Sequence, residues 1–325
     1  MNILLRWSRA VAAAALMLTP TLSTSATAQP WPQRTVKLIL PLGPGSAPDI
    51  AARLLADRLQ KRWGQSIVVE NRPGGDAIMA ITTLIGANDD HTLLFGTSAS
   101  FVAHPYLHAK MPYDPSALVP IARVTSALVT VVVPSALGVT SMADLAARAR
   151  AEPGKLNYAA VTGLTDILFQ SYLKSNNLSM VRVPYRDLVQ ALNDVAEGRV
   201  HVYYAAYATV RPQVEAGKVK ILALNNASRV DMLSGIPTVR QAGFPQLEFD
   251  GALGLFGPRT IPVALRERIA GDVIAATREP EFTNRLAIAG LIVDPGTPDD
   301  FAAAIEQQHR RAEGAANILG LKRAN

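Results

Sequence analysis

The residue types best suited to chemistry in this sequence are glycines and small hydroxyls that follow short apolar runs. The first group is Leu42-Gly43-Pro44-Gly45-Ser46-Ala47-Pro48-Asp49, directly after Val36–Leu40. Free N–H groups at a glycine-rich turn before a helix, reinforced by the helix dipole, make a seat for an anion. Nucleotide phosphate does not suit this seat. No Lys-Ser or Lys-Thr follows the glycines, as a phosphate-binding loop requires, and Pro48 stands where a dinucleotide fingerprint needs its third glycine. An uncharged loop with no partner for Mg²⁺ suits a carboxylate better. The competing reading is that Ser46 and Asp49 simply cap the helix, with Pro48 tolerated in its first turn. Capping is the preferred reading for Asp49, while the loop backbone stays open to either.

A second group is Gly96-Thr97-Ser98-Ala99-Ser100. It falls short of a nucleophile elbow because Ser100 occupies the place of the closing glycine in G-x-S-x-G. Thr97 and Ser98 are therefore hydroxyl donors or a helix cap, not nucleophiles. The third group is Thr162-Gly163-Leu164-Thr165, which offers hydroxyls and N–H groups to a second carboxylate unless Thr165 merely caps the next helix. Tyr203, Tyr204 and Tyr207 are dense for a chain poor in aromatics. They are either core residues or one wall of a cleft for an apolar or aromatic ligand body. The five histidines (His91, His104, His108, His201, His309) show no metal-ligand spacing. His104 follows the 96–98 loop and is read as a structural histidine with satisfied nitrogens. Neither an enzyme nor a bound cofactor or metal is expected.

The elements that must position these groups repeat one plan. Val36–Leu40 is a short apolar run of the kind buried in a parallel sheet. After the loop, Ile50, Ala51, Leu54, Leu55 and Leu59 recur at helical spacing, and Gly64 supplies a stop. Strands at 67–70 and 92–95 flank a helix at 77–85, so three β–loop–α units follow in succession, the rhythm of a doubly wound parallel sheet. Ligands on such sheets sit at the carboxyl ends of the strands. The plan resumes with a β-branched run at 127–134, a helix at 141–149, a strand at 155–160 and a helix at 166–173. Strands follow at 180–185, 200–204 and 219–224, with a helix at 190–197. A crossing strand is expected at 249–256, and the remainder reads as helices at 264–277, 281–289 and from 299 to about 314. The economical organisation is two α/β lobes, 29–127 with 256–325 and 128–255.

Residues 1–28 have the form of a cleavable signal peptide, with Arg6 and Arg9 before the apolar run Ala10–Leu18 and Ala26-Thr27-Ala28 as the cleavage site. The apolar run is about half of the roughly 20 residues that span a bilayer. The mature chain is expected to start at Gln29, in the periplasm. The absence of cysteine leaves stability to burial alone. The formal net charge of +6 is mild, its basic residues are scattered among acids, and no basic cluster interleaved with aromatics favours nucleic acid.

Several motifs in order carry a family likeness: Trp31-Pro32, Val36–Pro41, Gly43-Pro44-Gly45 with Asp49, Val69–Gly74, Leu93–Ser98 and Pro112–Pro115. Pro153–Ala159, Val183–Tyr185, Ala216–Lys218, Ile236–Val239 with Ala242-Gly243, and Thr297-Pro298 continue it. Together they resemble the extracytoplasmic solute receptors of tripartite tricarboxylate transporters, often called Bug receptors, over essentially the whole mature chain. The resemblance implies a type II periplasmic binding fold whose two lobes close on a small carboxylate, held mainly by backbone amides, small hydroxyls and water. It implies no catalysis, a monomer, and as partners the membrane subunits of a transporter or, alternatively, a sensor protein. The implied ligand residues are those of the 42–47 loop, facing Thr97 and Ser98, with Thr162–Thr165 from the other lobe. The chain departs from the family pattern at three places. The loop before residue 166 is about two residues short and offers Asp166 where members usually carry a histidine. Tyr204-Ala205-Ala206 replaces Phe-Asp-Asn, which removes a partner for an amino group, and Leu42 replaces an aromatic. A mono- or dicarboxylate with an apolar or aromatic body beside Tyr204 or Tyr207 is therefore expected.

Overall fold

The computed structural model describes residues 31–160, 163–185, 187–226 and 230–324. Contacts divide the chain between Gln33 and Arg34. The described part of the first stretch, Trp31–Gln33, holds no helix or strand, and the expected signal peptide lies outside the described residues. Every element below belongs to the body that begins at Arg34.

The opening unit forms as its pattern dictates. β1 (Val36–Leu40) is buried at four of its five positions. α1 (Ala47–Trp63) starts where the Ser46 side chain accepts the Asp49 N–H, and ends at Gly64 in the left-handed conformation that glycine tolerates. β2 (Ile67–Asn71), α2 (Ile78–Ala87), β3 (Thr92–Thr97) and α3 (Ser98–Leu107) complete the expected units. β1 runs parallel to both β2 and β3.

The β-branched run expected at 127–134 forms one strand from Val129, and a strand ahead of it, at 118–127, is absent from the sequence reading. β4 (Leu118–Ala127) belongs to the first sheet and β5 (Val129–Pro134) to a second, so the chain changes sheets at Leu128. The second sheet adds β6 (Asn157–Ala160), β7 (Val181–Arg182), β8 (Val202–Ala206) and β9 (Val219–Leu224), in the order β7-β6-β8-β5-β9. Its helices are α4 (Met142–Ala151), α5 (Leu164–Ser175), α6 (Leu188–Ala196) and α7 (Tyr207–Glu215). The chain then re-enters the first sheet as β10 (Gly251–Pro258). It ends with α8 (Val263–Thr277), α9 (Pro280–Ile288), β11 (Leu291–Gly296) and α10 (Pro298–Leu319).

The first sheet has the order β11-β4-β10-β3-β1-β2, and β10 and β11 run antiparallel to their neighbours. The expected all-parallel sheet is therefore a mixed one, because a chain returning from a second sheet enters its row from the opposite end. β11 has no counterpart in the sequence reading, which made this region entirely helical; a half-buried edge strand ending in Pro295-Gly296 gives little alternation to detect. β10 is buried throughout. A Cβ at Gly254 would lie 2.2 Å from the Ala122 carbonyl oxygen and 2.5 Å from the Phe301 ring, so only glycine fits where α10 crosses this strand. Phe301 itself is fully buried, a burial that contributes roughly 1.5–3 kcal/mol.

Helices cover both faces of the second sheet. Tyr204 lies in the cluster with Tyr158, Phe169 and Leu247, while Tyr203 points into a separate cluster with Leu192, Val195 and Val210. Alternation along β8 thus sends the two tyrosines to opposite faces, and both faces are core.

Candidate functional site

The loop between β1 and α1 is shaped by side chains from outside it. Ser46 Oγ donates to the Gly43 carbonyl at 2.8 Å and accepts the Asp49 N–H at 3.4 Å. The Asp49 carboxylate, 3% exposed, accepts the Gly45 N–H at 3.0 Å, Arg53 Nε at 3.0 Å and Asn71 Nδ2 at 2.9 Å. Asn71 also donates to the Leu42 carbonyl at 2.8 Å, and Arg53 donates to Asn71 Oδ1 at 2.9 Å. Burial alone would raise the Asp49 pKa, but the hydrogen bonds from Arg53, Asn71 and Gly45 together hold it below the ordinary carboxylate range. The capping alternative is thus the one that Ser46 and Asp49 take. The resident carboxylate also answers the helix dipole, leaving the exposed Leu42 and the backbone of Gly43, Gly45 and Ala47 as the surface of this loop.

The loop after β3 lies beside it. A Cβ at Gly96 would sit 3.5 Å from Pro41 Cγ, because β1 and β3 are parallel neighbours and end at the same edge. Thr97 Oγ1 caps α3 by accepting the Ala99 N–H at 3.2 Å. Ser98 is fully buried and donates to Gln308 Oε1 at 2.7 Å, while Gln308 Nε2 donates to the Asp250 carbonyl. Ser98 therefore ties α3 to α10 and to the strand that returns from the second sheet. Sequence reasoning missed Asn71, Arg53 and Gln308; Ser98 and Gln308 are 210 residues apart and no local pattern links them.

The second sheet contributes the start of α5. Gly163 precedes that helix at φ 93° and ψ −143°, and a Cβ there would lie 3.9 Å from Ala103 Cβ. Ala103 belongs to α3, whose N-terminus carries Thr97 and Ser98, so the two sheets bring their loops to one helix. Thr165 is buried, and Thr162 lies outside the described residues. Asp166 is ion-paired with Arg182 at 2.8 Å through Oδ2, and its buried Oδ1 has no hydrogen-bond partner.

The tyrosines take the core alternative. Tyr204 is fully buried, donates to the Leu247 carbonyl at 3.1 Å and accepts from Asn225 Nδ2 at 2.8 Å; burial pushes its pKa well up. Tyr207 is buried at the start of α7, its N–H on the Leu128 carbonyl at 2.8 Å. Tyr204 offers no wall to a ligand because both faces of β8 are covered, and Tyr207 packs into the cluster with Leu128 and Val210. His104 is buried with Nδ1 2.7 Å from the Tyr113 hydroxyl and Nε2 2.8 Å from the Asp76 carbonyl, as a structural histidine would be. Among the described residues no group of three or more histidines and acids could hold a metal, and no helix is long and apolar enough to cross a membrane.

A cavity of about 560 Å³ lies where the chain passes between the sheets, lined in part by Arg123, Ser126, Phe249, Asp250, Gln308 and Arg311. It shares no residue with the loops above. Arg123 is met by both Asp250 and Asp294, and Glu248 by both Arg240 and Arg311. Each guanidinium here already faces a carboxylate, although Arg123 Nε has no hydrogen-bond partner, so an added acid finds no unpaired charge.

Comparison with known proteins bears on the family and the fold. The profile of a family described as "Tripartite tricarboxylate transporter family receptor" matches residues 51–321. A UPF0065 protein of Bordetella pertussis is 27% identical over 319 residues, which is 97% of this chain and 97% of that protein. Among solved structures, R. palustris Rpa4515 with adipate superposes with a TM-score of 0.77 at 30% identity, over 90% of this chain and 99% of that one. MatC (Rpa3494) from Rhodopseudomonas palustris with bound malate gives a TM-score of 0.73 at 25% identity, over 88% of this chain and 99% of that one. The fold is that of two-lobed periplasmic binding proteins.

Proposed function

We propose, for a chain that belongs to the tripartite tricarboxylate transporter receptor family, that it captures a small organic acid in the periplasm and delivers it unchanged to transporter membrane subunits. The protein acts as a monomer whose two lobes, one built on each sheet, close on the acid. Closure follows from differential affinity: a ligand that touches both lobes binds the closed form better and shifts the population towards it. The observation that carries this reading is the convergence on α3, which is capped by Thr97 beside the β1 loop and meets Gly163 of the second sheet. The 30% identical neighbour with adipate supports a carboxylate as the ligand class.

The proposed contacts from the first lobe are the backbone of Leu42, Gly43, Gly45, Ser46 and Ala47 and the hydroxyl of Thr97. From the second lobe they are Thr162, Gly163 and Thr165. Ser98 acts behind this surface through Gln308. A thermal-shift screen of residues 29–325 against organic acids tests the reading. An acid at about 100 times its dissociation constant should stabilise the fold by roughly 2.7 kcal/mol, a clear rise in melting temperature. A folded protein that no carboxylate stabilises would count against it.

A further inference from the structure

We propose that Asp166 accepts a hydrogen bond from the far end of the bound acid, so that the ligand carries a distal hydroxyl or ammonium in place of a second carboxylate. The inference rests on the receptor reading and names the ligand class for that same site. Asp166 is 8% exposed and stands at the third position of α5, near the positive end of its dipole. Oδ2 pairs with Arg182. Oδ1 is the one buried carboxylate oxygen without a hydrogen-bond partner among the described residues. A buried acceptor left open in this way calls for a donor, which an ordered water or a ligand supplies.

Two other acids among the second sheet's elements are already satisfied. Asp187 caps α6 by accepting the Val189 and Gln190 N–H groups, and Asp194 is held by Tyr185 and Arg199. β8 ends in Ala205-Ala206, with no acid there. Asp166 also determines what is rejected. Its charge answers both the helix dipole and Arg182, so a second carboxylate arriving at this end meets a bare anionic oxygen beside a guanidinium that is already engaged. A hydroxyl or ammonium meets an acceptor.

Calorimetric titration of residues 29–325 with adipate, ω-hydroxyhexanoate and ω-aminohexanoate, and with the same trio at other chain lengths, tests this. Both donor-bearing acids should bind at least about tenfold more tightly than the matched diacid, the factor that about 1.4 kcal/mol represents. Asp166→Asn keeps the shape but presents an NH₂ group; it should abolish that preference and tighten diacid binding. Arg182→Gln removes the competing guanidinium and should raise the ω-amino acid several-fold over the ω-hydroxy acid. A purely structural role would weaken all three acids by one factor in both variants. That result, or a preference for the diacid in the unaltered protein, overturns the assignment and leaves the receptor reading standing. If no acid of any length binds the folded protein, both fall.

Discussion

Two helices here carry a buried aspartate at the third position of their first turn, and only one of the two is completed from within the chain. At the start of α1, Asp49 has a hydrogen bond on each oxygen, from Gly45, Arg53 and Asn71. At the start of α5, Asp166 has Arg182 on one oxygen and nothing on the other. Residue type, helical position and burial are nearly the same, so the difference comes from what the neighbouring strand supplies. β2 ends in Asn71, whose amide bridges Asp49 and the Leu42 carbonyl. β7 ends in Arg182, which reaches Asp166 at one oxygen. A carboxylate met on both oxygens builds a loop, whereas one met on a single oxygen leaves a valence for something else.

The largest expected effect breaks the completed end. Asp49→Ala strands the Gly45 N–H, Arg53 and Asn71, and should cost about 2–4 kcal/mol in urea unfolding. Asp166→Ala should cost about 1 kcal/mol or less, since its partner Arg182 is more than a third exposed and screened by solvent. Equal costs would erase the contrast.

A middle-sized effect tests the backbone of the two loops. Gly163 sits at φ 93°, which an L side chain adopts only under strain, whereas a Cβ at Gly43 meets nothing within 4 Å and its φ is ordinary. Gly163→Ala should lose about 1–3 kcal/mol, and Gly43→Ala should stay within about 0.5 kcal/mol of the parent. Thermal unfolding of the two variants side by side would show the difference.

The smallest effect is in the acid limb. The folded pKa of Asp49 lies below its unfolded value of about 3.9. Its stabilisation is complete above that value and is lost as pH falls through the folded one. The stability gap between the parent and Asp49→Asn should therefore be constant near neutrality and narrow below about pH 4. A gap that is independent of pH would show that the hydrogen bonds around Asp49 do not favour its charged form.

What the sequence alone determined is whatever depends on neighbours in the chain. The Val36–Leu40 run, the capping serine at 46 and the stop at Gly64 all act within one turn or one strand, and the structure shows each in place. The α/β class was legible for the same reason, since apolar runs, small-residue loops and helical spacing repeat along the chain. The sheets' composition was not. β11 and the antiparallel sense of β10 depend on how the chain returns from the second sheet, and no local pattern records that path. The tyrosines were ambiguous because alternation gives the two faces of β8 but not what covers them; helices and loops cover both. Ser98 was legible as a hydroxyl at a strand end, but its partner Gln308 is supplied only by tertiary packing. The contrast between Asp49 and Asp166 is of the same kind. Both read as helix-start acids, and which oxygen stays bare is decided by residues 16 to 22 positions away on neighbouring strands, because hydrogen-bond satisfaction is a property of three-dimensional neighbours.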